Sequence, residues 1–287
     1  MTQPKVSVLM PIYKTPEKYL REAIESILTQ TFTDFEFLIL DDCPEDNRKS
    51  IVQSYRDDRI KYFQNESNLG ISRSRNKLID LSKGTYLAVM DHDDISMPTR
   101  FEKEVLYLDN NPDIGVVSSN IKDIVKNNIS HRPADDHAIK VTLMGGCTVM
   151  HPASMIRKSV LTQNNLHYEE EFSPAEDYAL WCRLIGVTKF HHLQEILFKY
   201  RNHKQNTTHK QSGKSNVAAS NLRNFLKETY PNLYAEYEYS LMHTRHIKLF
   251  GLIPFITQTT KNDCTQIYLF GIKILRIKRI ITSKLYM

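Results

Sequence analysis

The first hundred residues alternate between short apolar runs and amphipathic segments, and this alternation limits the folds open to the chain. Val6–Met10, Phe35–Leu40 and Tyr86–Met90 are apolar runs of strand length. Glu17–Gln30 instead carries apolar residues at the i, i+3, i+4 spacing of a helix, and we expect a second helix over Ile71–Leu81 that stops near Gly84. Strands that alternate with helices form a mainly parallel sheet with helices on both faces. We therefore expect an α/β fold.

Polar residues follow three of these strands directly. Pro11–Tyr13 follows the first strand, Asp41 and Asp42 the second, and Asp91–Asp94 the third. Because ligands bind at the carboxyl ends of strands in open parallel sheets, these segments predict one pocket built from three loops. A divalent cation bound through oxygen ligands would relieve the repulsion among the crowded carboxylates. An Asp-rich turn that caps a following helix is the alternative interpretation of the acidic segment.

Composition places the chain among ordinary globular proteins. The 287 residues are 41% hydrophobic and 25% charged, with a net charge of +5. The four cysteines show no metal-ligand spacing, so we expect a reduced cytoplasmic setting. The N-terminus lacks a signal-peptide pattern, and no uncharged apolar run approaches the ~18–20 residues of a membrane span. We expect a protein that does not cross a membrane and has no nucleic-acid partner.

A nucleotide, if bound, must be held without a glycine-rich phosphate loop, because the first strand leads into Pro11-Ile12-Tyr13-Lys14. Tyr13 can stack on a base, and Asp42 can accept a hydrogen bond from a pyrimidine ring nitrogen. Alternatively, Tyr13 is an aromatic residue at the rim of the site, and Asp42 caps a helix. Asn68–Asn76 places arginines at a helix start, which favours an anion, with a solvated amphipathic helix as the alternative.

Together these segments resemble the family-2 glycosyltransferases, which have the GT-A fold. The resemblance covers roughly residues 4–210 and is carried, in the family's order, by Val6–Tyr13, Asp41-Asp42, Asn68-x-Gly70 with Arg75-Asn76, Gly84 before Asp91-x-Asp93-Asp94, Gly145–His151 and Glu176-Asp177. It implies a GT-A catalytic domain over residues 1–210, with a Rossmann-like, mainly parallel sheet. Residues 211–287 would then form a C-terminal extension, predicted to be helical over residues 217–250 and to end in a basic tail.

The resemblance also implies roles for single residues. The residues that it places around the nucleotide of a UDP-sugar are Pro11, Tyr13, Asp42, Asn68, Arg75, Asp91 and Asp93. Asp93 would ligate a Mn²⁺ or Mg²⁺ ion that bridges the diphosphate, and Asp91 would face the ribose or the metal. His203 falls where related enzymes supply a further metal ligand. Asp177 would be the catalytic base, although it also fits the first turn of a helix.

Other positions bear on donor and acceptor recognition. Lys14 stands where the family commonly has Asn, and Cys43-Pro44 stands where it commonly has Gly-Ser, so the base pocket favours UDP without fixing it. Gly145 and Gly146 match a loop near the acceptor. Tyr178 and Trp181 follow the predicted base on its helix and are candidates for the acceptor site, with the core as the favoured place for Trp181.

The expected function is transfer of a sugar, with inversion, from a UDP-sugar to a glycan or lipid-linked saccharide in the biosynthesis of bacterial surface polysaccharide (lipopolysaccharide, O-antigen or capsule). A nucleotidyltransferase and a non-catalytic nucleotide-sugar-binding module are the alternatives. Residues 267–281 mix apolar and basic side chains. Segments of this kind can bind the surface of an anionic membrane leaflet. The alternative is that these residues only pack against the rest of the protein. We expect a cytoplasmic location, which includes peripheral association with the inner face of the cytoplasmic membrane.

Overall fold

The computed structural model covers most of the chain. It describes residues 3–46, 48–203, 206, 211–242, 244–249, 253–261, 264–269 and 272–278. The chain divides into two compact units, Met1–Phe225 and Leu226–Met287. The functional domain boundary expected near residue 210 stays a prediction.

The strands and helices predicted within the first hundred residues are present in the first unit. Its strands are β1 (Val6–Ile12), β2 (Phe35–Asp41), β3 (Ile60–Gln64), β4 (Tyr86–Val89), β5 (Ile95–Ser96), β6 (Ile114–Asp123), β7 (Asn128–Ser130), β8 (Met155–Arg157) and β9 (Lys189–Tyr200). Its helices are α1 (Glu17–Leu28), α2 (Arg48–Gln53), α3 (Ile71–Leu81), α4 (Arg100–Asn110), α5 (Asp136–Leu143), α6 (Lys158–Gln163) and α7 (Glu176–Leu184). Helix α8 (Ser212–Thr229) follows in the chain.

These strands form one sheet in the order β3-β2-β1-β4-β8-β6-β9-β5, with β7 paired to β6. Strand β1 runs parallel to both β2 and β4, so that Val8 lies opposite Phe37 on one side and Ala88 on the other. Strand β8 runs antiparallel to β4 and β6, whereas β6 and β9 are parallel. The predicted α/β fold is confirmed, and its parallel part contains the three strand ends that carry the polar segments.

The core lies around β1, because all seven residues of this strand are buried. A strand that is covered on both faces has a nearly continuous apolar sequence, which explains the Val-Ser-Val-Leu-Met-Pro-Ile run. Helix α1 contributes Leu20, Ala23, Ile24 and Ile27 at the i, i+3, i+4, i+7 spacing, and all four are fully buried. These side chains belong to the same core cluster as β1, so the periodicity in the sequence identified the buried face correctly.

A close backbone approach fixes the chain before β4. A Cβ atom added at Gly84 would lie 2.4 Å from the backbone nitrogen of Ser7, so only glycine fits without a shift of β1. The Gly84 N–H donates to Ser7 Oγ at 2.7 Å, and Ser7 Oγ donates to Glu36 Oε1 at 2.6 Å. This contact ties β1, β2 and the start of β4 together.

A fully buried ion pair supports the far end of β4. Arg100 Nε lies 3.1 Å from Glu104 Oε2 on helix α4, and both side chains have no exposed surface. Arg100 Nη2 also donates to the carbonyl oxygens of Val89, at 3.1 Å, and Ser154, at 3.0 Å. Because Val89 is the last residue of β4, Arg100 fixes the strand end from which the acidic segment begins.

The second unit contains helix α9 (Pro231–Met242) and a four-stranded antiparallel sheet. Its strands, in sheet order, are β10 (Thr244–Leu249), β11 (Ile253–Lys261), β12 (Cys264–Leu269) and β13 (Ile272–Lys278). The helix predicted through residue 250 is wrong over β10, where β-branched Thr244 and Ile247 suit a strand that pairs with β11. The side chains of the predicted basic tail, residues 267–281, lie outside the described residues. Within the described ranges, every helix is too short or too polar to cross a bilayer.

Candidate active site

The predicted strand-end residues meet at one edge of the sheet. Tyr13 follows β1, Asp42 follows β2, and Asp91 lies just beyond β4, with β1 between the other two strands. Pro11 belongs to β1 and is buried, whereas Tyr13 exposes 43% of its surface. An exposed ring at a strand end is free to stack on a planar ligand. The parallel order of the strands therefore brings the three polar segments to one place.

Asp42 anchors the loop that leads into α3. Its Oδ1 accepts hydrogen bonds from Asn65 Nδ2 and from the Leu69 N–H, both at 2.8 Å. Its Oδ2 accepts from the N–H of Gly70 at 2.8 Å, and Gly70 has a φ of +84°, which favours glycine. Asn68 is exposed, and its Oδ1 accepts from the same N–H at 3.0 Å. Asp42 thus holds this loop, and its contact with a pyrimidine stays a prediction.

Arg75 on α3 joins two parts of the site that are distant in sequence. Its Nη1 donates to Glu176 Oε1 at 2.7 Å, and its Nη2 donates to Asp91 Oδ1 at 3.3 Å. The guanidinium carbon lies 5.4 Å from the centre of the Tyr168 ring. Burial raises the pKa of Asp91, and the charge of Arg75 opposes this rise. The arginine predicted to contact the nucleoside therefore also links the end of β4 to the start of α7.

Asp93 and Asp94 contact the chain that follows β9. Asp93 Oδ2 lies 2.9 Å from His203 Nε2. The Arg201 N–H donates to Asp94 Oδ1 at 2.7 Å, and Arg201 Nε donates to the Asp93 carbonyl oxygen at 2.8 Å. Burial, followed by the charges of Asp93 and Asp91, raises the pKa of Asp94 well above its ordinary value. The structure thus brings together Asp93 and His203, two of the predicted metal ligands.

The fit of this cluster to a divalent cation is partial. Asp93 and His203 offer a carboxylate and an imidazole, both of which bind Mn²⁺, and Asp91 is an oxygen donor on the same loop. No group of three or more His, Cys, Asp or Glu side chains in the described residues is arranged to hold a metal ion. The buried Asp94 Oδ2 has no hydrogen-bond partner in that part of the chain. A cation here would therefore need further ligands from substrate or water, as Mg²⁺ sites commonly do.

Asp177 lies in the first turn of α7, beside the predicted acceptor loop. Its Oδ1 accepts a hydrogen bond from the Tyr178 N–H at 2.7 Å. Its Oδ2 lies 4.0 Å from Sγ of Cys147, the residue that follows Gly145 and Gly146. Burial, followed by the charge of Glu176, raises the pKa of Asp177 to about 6. Such a carboxylate is ionised at pH 7 and is more basic than an ordinary aspartate, which suits removal of a proton from a hydroxyl group.

Tyr178 and Trp181 do not line an open site. They expose 2% and 0% of their surfaces, and the Tyr178 hydroxyl donates to the Leu143 carbonyl oxygen at 2.6 Å. The Trp181 ring lies 5.8 Å from the ring of buried His151. The suggested acceptor-site role is wrong for both residues, because their side chains belong to the packed interior, where Trp181 was favoured.

Lys14, one of the departures from the family pattern, has an unusual backbone. Its φ is +47°, a left-handed conformation that asparagine adopts more readily than other non-glycine residues. The asparagine that the resemblance implies at this position would therefore suit the backbone better than lysine does. The Lys14 Nζ lies 5.2 Å from the centre of the Tyr13 ring, so the lysine adds a positive charge beside the ring predicted to stack on the base.

Three polar residues of the site escape prediction from sequence. Asn65 is buried against Asp42, Glu176 is buried against Arg75, and Arg201 contacts both Asp93 and Asp94. The only signal in the chain is proximity, since Glu176 directly precedes Asp177 and Arg201 lies two residues before His203. Neither spacing nor composition shows that Glu176 pairs with a residue about a hundred positions away.

The fold and the site together define a glycosyltransferase of the GT-A type. Solved structures show the same fold. S. aureus TarS 1-349 in complex with UDP-GlcNAc matches with a TM-score of 0.61 at 22% identity, over 71% of this chain and 60% of that chain. The mannosyltransferase PcManGT from Pyrobaculum calidifontis, in complex with GDP-Man and Mn²⁺, matches with a TM-score of 0.62 at 15% identity, over 84% of this chain and 71% of that chain.

Sequence comparisons identify the family. The family described as "Glycosyl transferase family 2" matches residues 7–169. An uncharacterized glycosyltransferase of Methanocaldococcus jannaschii is 39% identical over 210 residues, which are 70% of this chain and 72% of the relative. The O-antigen biosynthesis glycosyltransferase WbnJ of Escherichia coli is 30% identical over 233 residues, which are 78% of this chain and 89% of the relative. The chain belongs to glycosyl transferase family 2, which removes the nucleotidyltransferase alternative.

Proposed function

We propose that the protein transfers a sugar, with inversion, from a UDP-sugar to a hydroxyl group of a glycan or lipid-linked saccharide. The observation that carries this proposal is the double contact of Arg75, which binds Asp91 at the end of β4 and Glu176 beside Asp177. One guanidinium thus connects an acidic strand end suited to a cation with the residue next to Asp177, the carboxylate suited to act as a base. These are the two groups that displacement of a diphosphate by a hydroxyl requires.

The donor would bind along the ends of β1, β2 and β4. Pro11, Tyr13, Asp42, Asn68 and Arg75 would surround the nucleoside, with the exposed Tyr13 ring stacked on the base. The complexes of TarS with UDP-GlcNAc and of PcManGT with GDP-Man and Mn²⁺ support a nucleoside diphosphate sugar as the donor class. We take the nucleotide to be UDP, because the residues placed around the base resemble those of family members that use UDP-sugars.

A divalent cation, Mn²⁺ or Mg²⁺, would neutralise the leaving diphosphate when bound. Asp93 and His203, whose side chains lie 2.9 Å apart, would hold the ion, and Asp91 would face either the ion or the ribose. The carbonyl oxygen of Asp93 and the carboxylate of Asp94 are both held by Arg201, which keeps this loop in one conformation. Two or three protein ligands leave positions for diphosphate oxygens.

Asp177 would accept the proton of the acceptor hydroxyl as its oxygen attacks the anomeric carbon. The bond from that carbon to the diphosphate breaks in the same displacement, so the configuration inverts. Only the ionised carboxylate can take the proton, and the pKa of Asp177 is about 6. Activity should therefore fall as the pH drops through about 6, because protonation removes the base.

The O-antigen relative supports surface-polysaccharide biosynthesis as the setting and a saccharide as the acceptor. The loop of Gly145 and Gly146 precedes Cys147, which contacts Asp177, so the acceptor would approach the base past this loop. The basic character of residues 267–281 supports a cytoplasmic protein that associates with the inner face of the membrane.

A donor panel tests the proposal. The full chain is incubated with Mn²⁺, an extracted glycolipid acceptor and UDP-Glc, UDP-Gal, UDP-GlcNAc or UDP-GalNAc, and released UDP is measured. We expect at least one donor to release UDP. This release should be lost when the metal is chelated and in the variant Asp93→Asn. Asp113→Asn, at an exposed aspartate paired with Lys189, is the matched control and should retain activity.

Two outcomes would contradict the proposal. If no donor releases more UDP with Mn²⁺ than in a control that contains a chelator, the protein does not carry out the proposed transfer. Binding of UDP with Mn²⁺ without turnover of any donor would instead favour the non-catalytic binding module.

A further inference from the structure

Glu176 carries a buried carboxylate at the start of α7. Its side chain is 8% exposed, and that of its partner Arg75 is 9% exposed. Acidic side chains are rarely buried unless they are paired, and breaking a buried pair leaves an uncompensated charge. Within the described part of the chain, Arg75 Nε and Glu176 Oε2 have no hydrogen-bond partner. The pair is therefore retained although its hydrogen-bonding capacity is only partly used.

The backbone that carries Arg75 is held rigidly against the C-terminal half of the site. Asn76 Nδ2 donates to the Tyr168 carbonyl oxygen at 2.9 Å, and the Tyr168 N–H donates to Asn76 Oδ1 at 2.8 Å. The buried Tyr168 hydroxyl lies 2.8 Å from His151 Nε2, which fixes the ring beneath the guanidinium. These hydrogen bonds hold helix α3 beside Tyr168, and the Arg75 guanidinium is in turn held by its carboxylate partners Asp91 and Glu176.

We propose that Glu176 is a positioning residue, which holds the Arg75 guanidinium against Asp91 and so fixes the diphosphate end of the site relative to Asp177. This inference rests on the proposed function, since it assigns Asp177 as the base. The three charges form a chain from the end of β4 to the first turn of α7, at 3.3 Å and 2.7 Å. Removing the charge of Glu176 would leave Asp91 as the one carboxylate that accepts a hydrogen bond from Arg75 within the described residues.

Two consequences follow from the loss of that charge. Arg75 would lose the carboxylate that fixes its guanidinium, so its contact with Asp91 would no longer hold the diphosphate end of the site in place. Asp177 would lose a negative neighbour and keep a positive one, which makes it a weaker base. Within the described residues, the groups that interact with Asp177 are Glu176, Arg75, Asp91, Tyr168, Cys182, the Tyr178 N–H and Cys147. Among them, Glu176 raises the pKa of Asp177 most, and Arg75 lowers it.

Glu176→Gln tests the inference, because the amide keeps the shape of the side chain and removes its charge. With the donor that the wild type turns over, we expect kcat to fall roughly ten- to a hundredfold, as for a small misplacement of reacting groups. The acid midpoint of the kcat/KM profile should move to lower pH by about one pH unit. UDP affinity in the presence of Mn²⁺, measured by calorimetry, should weaken several-fold, by about the effect of one lost charge contact.

Two further variants separate positioning from folding. Glu176→Asp keeps the charge on a shorter side chain, so kcat should fall while the acid midpoint stays in place. Glu169→Gln removes a carboxylate that pairs with Arg183 of the same helix at 2.8 Å, and should change neither quantity. A residue that served the fold alone would lower activity equally at every pH, through a smaller folded fraction. Fluorescence of the buried Trp181 reports that fraction.

The outcomes distinguish the inference from the proposed function. If the wild type neither binds UDP nor releases it from any donor, the proposed function fails. If the wild type turns over a donor, an unchanged kcat and midpoint in Glu176→Gln would overturn the inference alone. If Glu176→Gln does not fold, a wild-type kcat in Glu176→Asp would overturn it as well.

Discussion

Burial of Glu104 makes the stability of the first unit depend on pH. Burial raises the pKa of this carboxyl from its ordinary 4.5 to about 7, although Arg100 opposes the rise. The folded state therefore binds the proton more tightly than the unfolded state does. The stability contributed by this group is fully present below pH 4.5 and is lost as the pH rises through 7. Between pH 5 and pH 8 the linkage relation gives a loss of about 2–3 kcal/mol from Glu104.

Glu104→Gln removes the titrating group and should remove this loss. The difference between the free energies of unfolding at pH 5 and pH 8 should be smaller than in the wild type by about 2–3 kcal/mol. Urea unfolding is followed by the fluorescence of Trp181, which is the one tryptophan of the sequence and is buried in the first unit. Glu66→Gln, at an exposed glutamate, is the control and should leave the difference unchanged. Equal pH dependence in wild type and Glu104→Gln would refute the reasoning.

Two further substitutions test local backbone features by the same unfolding assay. Gly84→Ala should destabilise the first unit by about 1–3 kcal/mol, because its Cβ would meet the Ser7 nitrogen at 2.4 Å; wild-type stability would show that the backbone gives way freely. Lys14→Asn should stabilise the protein by up to about 1 kcal/mol, because asparagine tolerates the φ of +47° better than lysine. A loss of stability in Lys14→Asn would contradict this.

Local elements were predictable wherever periodicity and burial agree. Helix α1, predicted over Glu17–Gln30, forms over Glu17–Leu28, because its apolar residues repeat at helical spacing and are buried. The strand ends at Tyr13, Asp42 and Asp91 could be placed at one edge of the sheet, since parallel strands present their carboxyl ends at the same edge. Strand β10 was not predictable, because its pairing with β11 is a tertiary contact that overrides a weak local preference.

The partners of the site residues could not be predicted. Asp42 was identified as a ligand candidate, yet its hydrogen bonds to Asn65, Leu69 and Gly70 depend on how the loop before α3 closes. Arg75 was placed near the nucleoside, but its pairing with Glu176 depends on the packing of α3 against the start of α7. Such contacts are set by three-dimensional packing, which a single sequence does not encode as a local pattern.

The central claim is that Asp177 takes the proton of the acceptor hydroxyl, and Asp177→Asn tests it most directly. Asparagine keeps the size of the side chain and can still accept the Tyr178 N–H, but it cannot act as a base. With the donor that the wild type turns over, transfer should fall by about 10²–10⁴-fold. UDP affinity in the presence of Mn²⁺, measured by calorimetry, should stay within about twofold of the wild type. Transfer by Asp177→Asn at the wild-type rate would contradict the claim.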